Sequence, residues 1–231
     1  LAAQMTTIPI VAYHFNRLSV ISFIANPFIL PAQPAVMILG GAADILGMIF
    51  EKSSTRTRAS FEVGMYQLGG QALFLSPADL QMGRGEPVSD TAKTLSRYLD
   101  GIMIRTFAHD IVERMAEWAS VPVINGLTDS SHPCQAMADF LTILEHKGRL
   151  EGLKLAYVGD SNNVSNSLMF AAARFGTHIS IGSPAGYQPK AEVAQWTRDE
   201  GAKTGSTLLI TADPAEAVAG ADVIYTDTWA S

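Results

Sequence analysis

Ser54-Thr55-Arg56-Thr57-Arg58 gathers hydroxyls, two guanidinium groups and free backbone N–H donors into consecutive positions. That set of groups suits an oxyanion, a phosphate above all. The run Ile45-Leu46-Gly47-Met48-Ile49-Phe50 before it reads as a buried strand, and residues 59–66 carry helical periodicity up to a Gly69-Gly70 stop. The cluster therefore falls at a strand-to-helix turn. There the unpaired N–H groups of the first helical turn and the positive end of the dipole favour an anion, which Arg56 and Arg58 could grip in forked hydrogen bonds. A capped helix with two solvated arginines is the plainer alternative. Two arginines in a first turn oppose the dipole, however, unless an anion offsets them.

Three further positions could complete such a site. In His132-Pro133-Cys134-Gln135 the proline suits a first helical position, which leaves the His132 imidazole at the mouth of a helix and free to face a ligand. Taken alone, a histidine before proline is more often a cap or turn residue. Arg105 closes the apolar run Gly101-Ile102-Met103-Ile104. It is thus a cation at the C-terminal end of a strand, the edge where ligands collect in open parallel sheets. Asp227 follows an apolar strand at 221–225 and is either a carboxylate for a cationic ligand or a helix cap. Residues 81–92 read as a Gly-rich polar connector ahead of a helix capped by Asp90.

The stretch Phe50-Glu51-Lys52-Ser53-Ser54-Thr55-Arg56-Thr57-Arg58, with Ser60-Phe61-Glu62 after it and His132-Pro133-Cys134-Gln135 downstream, resembles the signature of the aspartate and ornithine carbamoyltransferase family. The resemblance implies that Ser54, Thr55, Arg56, Thr57, Gln81, Arg105, His132 and Gln135 bind carbamoyl phosphate, with Arg105, His132 and Gln135 in catalytic roles. Residues 81–92 resemble the family's mobile loop, which crosses to a neighbouring subunit. Gln81 would then act in trans, and the chain would form a homotrimer with sites at subunit interfaces. In the second half, Ser161-Asn162-Asn163-Val164-Ser165-Asn166-Ser167 and Tyr225-Thr226-Asp227-Thr228-Trp229 resemble the ornithine branch. Asn163, Asp227 and Ser231, the last opening a Ser-Met-Gly signature, would bind the amino-acid end of L-ornithine. The implied reaction moves the carbamoyl group of carbamoyl phosphate to the δ-amine of ornithine, giving citrulline and phosphate without a metal or organic cofactor. Putrescine or a related amine is the alternative acceptor.

Other chemistries find less support. Gly159-Asp160-Ser161-Asn162-Asn163-Val164 lacks the later glycines of a dinucleotide fingerprint, and no Gly-x4-Gly-Lys-Ser/Thr run occurs. His14, His109, His132, His146 and His178 are widely spaced, so no metal-ligand pattern appears. Cys134 is the lone cysteine, which excludes an internal disulfide and fits a reducing, cytoplasmic setting. Its position inside the His132 motif varies in the family, which argues against a nucleophilic role. A net charge of −6 offers no basic stripe for nucleic acid.

With 231 residues, 48% of them hydrophobic and 16% charged, the chain can bury a sizeable core. Strand and helix alternate from residue 45 onward, which predicts an α/β fold of two doubly wound parallel-sheet domains. Strands are expected near 45–50, 71–75, 101–105, 121–125, 153–158, 177–182, 206–210 and 221–226. The helix at 133–147 should link a carbamoyl-phosphate domain at 44–148 to a C-terminally truncated ornithine domain at 149–231.

Residues 1–43 stand apart from this pattern. No charged residue occurs over the 26 positions 18–43, long enough to cross a hydrocarbon core, although Pro27, Pro31 and Pro34 interrupt the run. The segment resembles part of the membrane channel of competence-type DNA-uptake proteins. Apart from residues 18–43 nothing points to a membrane. The carbamoyltransferase resemblance covers residues 45–231, so a joined reading frame or a fusion is the expected origin, and an inactive membrane-associated fragment is the alternative function.

Overall fold

The computed structural model describes residues 44–228; the apolar segment 1–43 and Ser231 lie outside the described residues. The first sheet contains β1 (Ile45–Phe50), β2 (Gln71–Leu75), β3 (Gly101–Arg105) and β4 (Val123–Leu127), all parallel, in the order β2-β1-β3-β4. The second contains β5 (Lys154–Val158), β6 (His178–Gly182), β7 (Leu208–Thr211) and β8 (Val223–Tyr225), also parallel, in the order β7-β6-β5-β8. In each sheet the strand order reverses beside the first strand in sequence, the crevice position at which open α/β sheets place ligands.

Continuous apolar runs explain why the middle strands are buried on both faces. Met48, Ile102, Met103 and Ile104 are fully buried in the first sheet, as are Ala156, Tyr157 and Ile181 in the second. Helices α1 (Thr55–Leu68), α2 (Val88–Leu95), α3 (His109–Trp118) and α4 (Pro133–Lys147) belong to the first half of the chain. Helices α5 (Asn163–Phe175), α6 (Ala191–Thr204) and α7 (Pro214–Val218) follow in the second. Ala136, Phe140 and Ile143 of α4 pack into the core of the second sheet together with Leu168, Met169 and Leu155. Among the described residues, no helix is long and apolar enough to cross a membrane.

The chain departs from its expected boundaries where a local rule competes with hydrophobicity. β4 begins at Val123 rather than 121 because Pro122 has no N–H for the ladder, although its carbonyl accepts from Ile102 N at 2.9 Å. α2 begins at Val88, directly after Pro87, so Asp90 lies within the first turn and does not cap the helix. α1 ends as expected: Gly69 takes φ 89°, and its N–H reaches back to the carbonyls of Met65 and Tyr66. Gly47 in β1 allows a close approach, since a Cβ there would stand 2.3 Å from Leu99 Cδ1.

Candidate active site

Ser54 sits at the N-cap of α1 with extended backbone, and its Oγ accepts from Thr57 N at 3.3 Å. The same hydroxyl donates to Thr57 Oγ1 at 3.0 Å, and Arg105 Nη1 donates to that oxygen at 3.5 Å. Arg105 arrives from the last position of β3, where its Nε donates to the Lys52 carbonyl at 3.1 Å. Its backbone is latched as well: Glu51 N donates to Arg105 O at 2.9 Å, and the buried Thr106 hydroxyl donates to the Glu51 carboxylate. The guanidinium is thereby held at two of its five donors, leaving three for a ligand.

Burial lowers the pKa of Arg105 from its ordinary value, and the neighbouring Arg56 lowers it further. Among the described residues neither guanidinium has a carboxylate ion-pair partner. Two close cations without a counter-charge disfavour one another, and an anion between them would relieve both. Arg58 does not share this arrangement. Its Nε pairs with Glu62 Oε1 at 2.8 Å and its guanidinium lies 3.9 Å from the Phe74 ring centroid, so the expected anion grip by Arg58 is replaced by a helix-surface pair and a stacking contact.

His132 immediately precedes α4, with Pro133 opening the helix, and its backbone N donates to Ser167 Oγ on α5 at 2.7 Å. Burial and then the Arg105 charge push its imidazole pKa down to about 4, with Asp227 opposing, so the ring is neutral at pH 7. Nδ1 is buried without a hydrogen-bond partner among the described residues. The Cys134 thiol is pushed up by burial and its Sγ donates to Asn125 O at 3.4 Å, an inert setting. Gln135 Nε2 donates to Asp139 Oδ1 at 2.9 Å, one turn along α4.

The second sheet supplies the opposite wall. Asn162 caps α5 through a capping box with Ser165, and its Nδ2 donates to Asp227 Oδ2 at 2.9 Å. The other Asp227 oxygen accepts from Thr228 N at 2.8 Å, which leaves carboxylate lone pairs for a cation. Asn163 Nδ2 donates across to Thr128 O at 2.7 Å and Asn166 Nδ2 to Ser130 O at 3.0 Å, tying the start of α5 to the loop ahead of His132.

The structure therefore gathers Ser54, Thr57, Arg56, Arg105, His132 and Cys134 at the C-terminal edge of the first sheet, and places Gln135, Asn163 and Asp227 beside them from α4 and the second half. Thr55 opens α1 and is exposed. Gln81 is not gathered: it lies in a single 3-10 turn, exposed, with no side-chain hydrogen bond among the described residues. Asn162, Asp139 and Tyr225 escaped sequence reasoning. Only the i,i+4 spacing of Gln135 and Asp139 and the cap position of Asn162 could have signalled the first two.

The family model described as aspartate/ornithine carbamoyltransferase, carbamoyl-P binding domain, matches residues 36–145, and its Asp/Orn binding domain counterpart matches residues 151–231. A solved ornithine carbamoyltransferase from Gloeobacter violaceus is 46% identical with a TM-score of 0.75, covering 88% of this chain and 70% of its own. The chain belongs to the aspartate/ornithine carbamoyltransferase family. Other members of the family are similarly close. The enzyme named ornithine carbamoyltransferase in Anoxybacillus flavithermus is 61% identical over 186 residues, which is 80% of this chain and 59% of that one. The Pyrococcus furiosus ornithine carbamoyltransferase structure gives a TM-score of 0.79 at 53% identity, covering 82% of this chain and 61% of its own. The chain thus spans about three fifths of the length of the curated relatives it matches. A competence protein model also matches, over residues 1–69.

Proposed function

We propose that the site carries out carbamoyl transfer from carbamoyl phosphate to the δ-amine of L-ornithine, giving citrulline and phosphate. The observation that carries this reading is the half-buried Arg105 beside the exposed Arg56 at the mouth of α1, neither with a carboxylate partner among the described residues. Ser54, Thr55, Arg56, Thr57 and Arg105 take the phosphate and neutralise it as it leaves. His132, as a neutral imidazole, donates to the carbamoyl oxygen as charge grows there, and Gln135 holds the carbamoyl nitrogen. The amine lone pair forms the new C–N bond while the C–O bond to phosphate breaks. The departing phosphate, gaining charge, takes the proton that the amine sheds. Holding both substrates in register supplies much of the remaining acceleration.

Asn163, Asp227 and Ser231 receive the amino-acid end of ornithine, with Asp227 pairing the substrate ammonium. Residues 44–148 then form the carbamoyl-phosphate domain and 149–231 the ornithine domain. Gln81, exposed and without a side-chain hydrogen bond among the described residues, reaches the site of a neighbouring subunit in a cytoplasmic homotrimer. Citrulline formation with ornithine, putrescine and aspartate as competing acceptors tests the assignment. Ornithine is expected to be preferred, and a preference for aspartate or putrescine would overturn the acceptor reading.

A further inference from the structure

Asp139 takes part in none of the contacts assigned above to substrate, yet its carboxylate accepts from Gln135 Nε2 at 2.9 Å. A carboxylate only accepts, so the Gln135 amide must turn its NH2 end toward Asp139 Oδ1, at 2.9 Å. The Tyr225 phenol adjoins both residues, near enough for Gln135 and Asp139 each to act on its ionisation. Among the described residues no donor reaches Gln135 Oε1. The amide is therefore anchored at its nitrogen and open at its oxygen.

We propose that Asp139 is a positioning residue, holding the Gln135 amide in one orientation so that its carbonyl oxygen, and not its NH2 group, is offered to the carbamoyl end of the ligand. The proposal rests on the carbamoyl-transfer reading of the site. An amide free to flip by half a turn would present a donor to the carbamoyl NH2 group for part of the time, which opposes binding. The anchor is itself costly to keep. Asp139 is half-buried, burial raises its carboxyl pKa against the lowering by Gln135 and Tyr225, and no hydrogen bond within 3.5 Å reaches the buried Oδ2 among the described residues. A carboxylate kept in such surroundings for stability alone would be a poor choice, because desolvating it costs more than one neutral donor returns.

The test uses the 231-residue chain with Asp139→Ala, Asp139→Asn, Gln135→Ala and the Asp139→Ala/Gln135→Ala pair, titrated calorimetrically with carbamoyl phosphate and separately with inorganic phosphate. Asp139→Ala should weaken carbamoyl phosphate about tenfold and leave inorganic phosphate within about twofold, since loss of one oriented hydrogen bond acts only on the carbamoyl end. In the Gln135→Ala background the same substitution should add nothing, because the two residues act as a unit. Asp139→Asn keeps an acceptor for Nε2 and should stay within about threefold of the parent. Equal losses for both ligands, or an Asp139→Ala loss that persists without Gln135, would overturn the proposal. Should Asp139→Ala not fold, Asp139→Asn binding as weakly as Gln135→Ala would overturn it. Hydrogen exchange of the Gln135 side-chain amide gives a ligand-free readout: slow in the parent and in Asp139→Asn and fast in Asp139→Ala is expected, and equal rates in the parent and Asp139→Ala contradict the anchor. If the parent binds no carbamoyl phosphate, the carbamoyl-transfer reading fails while the amide exchange still decides the anchor.

Discussion

The Thr57 hydroxyl carries more of the site than its size suggests. Its oxygen accepts from Ser54 Oγ at 3.0 Å and from Arg105 Nη1 at 3.5 Å, so its own proton points away from both, toward the mouth of α1. Thr57→Val keeps the shape and removes that donor. Carbamoyl-phosphate affinity should fall by about 1 kcal/mol, roughly fivefold, in a calorimetric titration, with little change in unfolding temperature. His132 gives a second prediction. With its pKa lowered to about 4, the native state holds the ring neutral while the unfolded chain begins to protonate it near 6.5. Between those values the unfolded state binds more protons, so this residue's share of stability is full above about 6.5 and declines as pH falls toward 4. An NMR titration of the imidazole should show a midpoint near 4, and a midpoint at 6.5 would mean that the ring is solvated. At this scale the strand-to-helix turn that carries Ser54 to Thr57 was legible in the sequence because its members are neighbours along the chain. Arg58 was misread because its second partner, the Phe74 ring, comes from β2 and cannot be inferred from local spacing.

The elements decide how firmly these side chains are held. Asn162 both caps α5 through Val164 N at 2.9 Å and Ser165 N at 3.1 Å and steadies Asp227 through its amide NH2. Asn162→Ala should cost about 1 kcal/mol in denaturant unfolding from the lost cap. The same change should weaken ornithine use by loosening Asp227; full retention of ornithine affinity would show that Asp227 needs no such support. Most of these elements could be read in advance. The central strands are unbroken apolar runs, and Gly69 announces the end of α1. The start of β4 could not be placed by hydrophobicity, because Val121 and Pro122 extend the apolar run while the proline cannot join the ladder. The Gln135, Asp139 and Tyr225 group was illegible for a different reason: α4 and β8 meet only in the folded chain.

Across residues 44–228, the C-terminal edges of the two parallel sheets are joined by the bonds from α5 to residues 128–132. His132 lies close enough to feel Arg105 from one sheet and Asp227 from the other. On the proposed reading the phosphate is held by the first half and the substrate ammonium by the second, so the two should separate on substitution. Asp227→Asn should raise the ornithine concentration required while leaving carbamoyl-phosphate binding nearly intact, and equal damage to both would show that the halves are not distinct sites. The central claim is that the Ser54 cluster is a carbamoyl-phosphate cradle. Its most direct test is calorimetric titration of the 231-residue chain with carbamoyl phosphate, beside the Arg56→Ala variant. Saturable binding by the parent is expected, weakened by about 1.5 to 3 kcal/mol, roughly 10- to 150-fold, on loss of the charged contact. Unchanged affinity in Arg56→Ala would contradict the account and leave the cluster as nothing more than a capped helix.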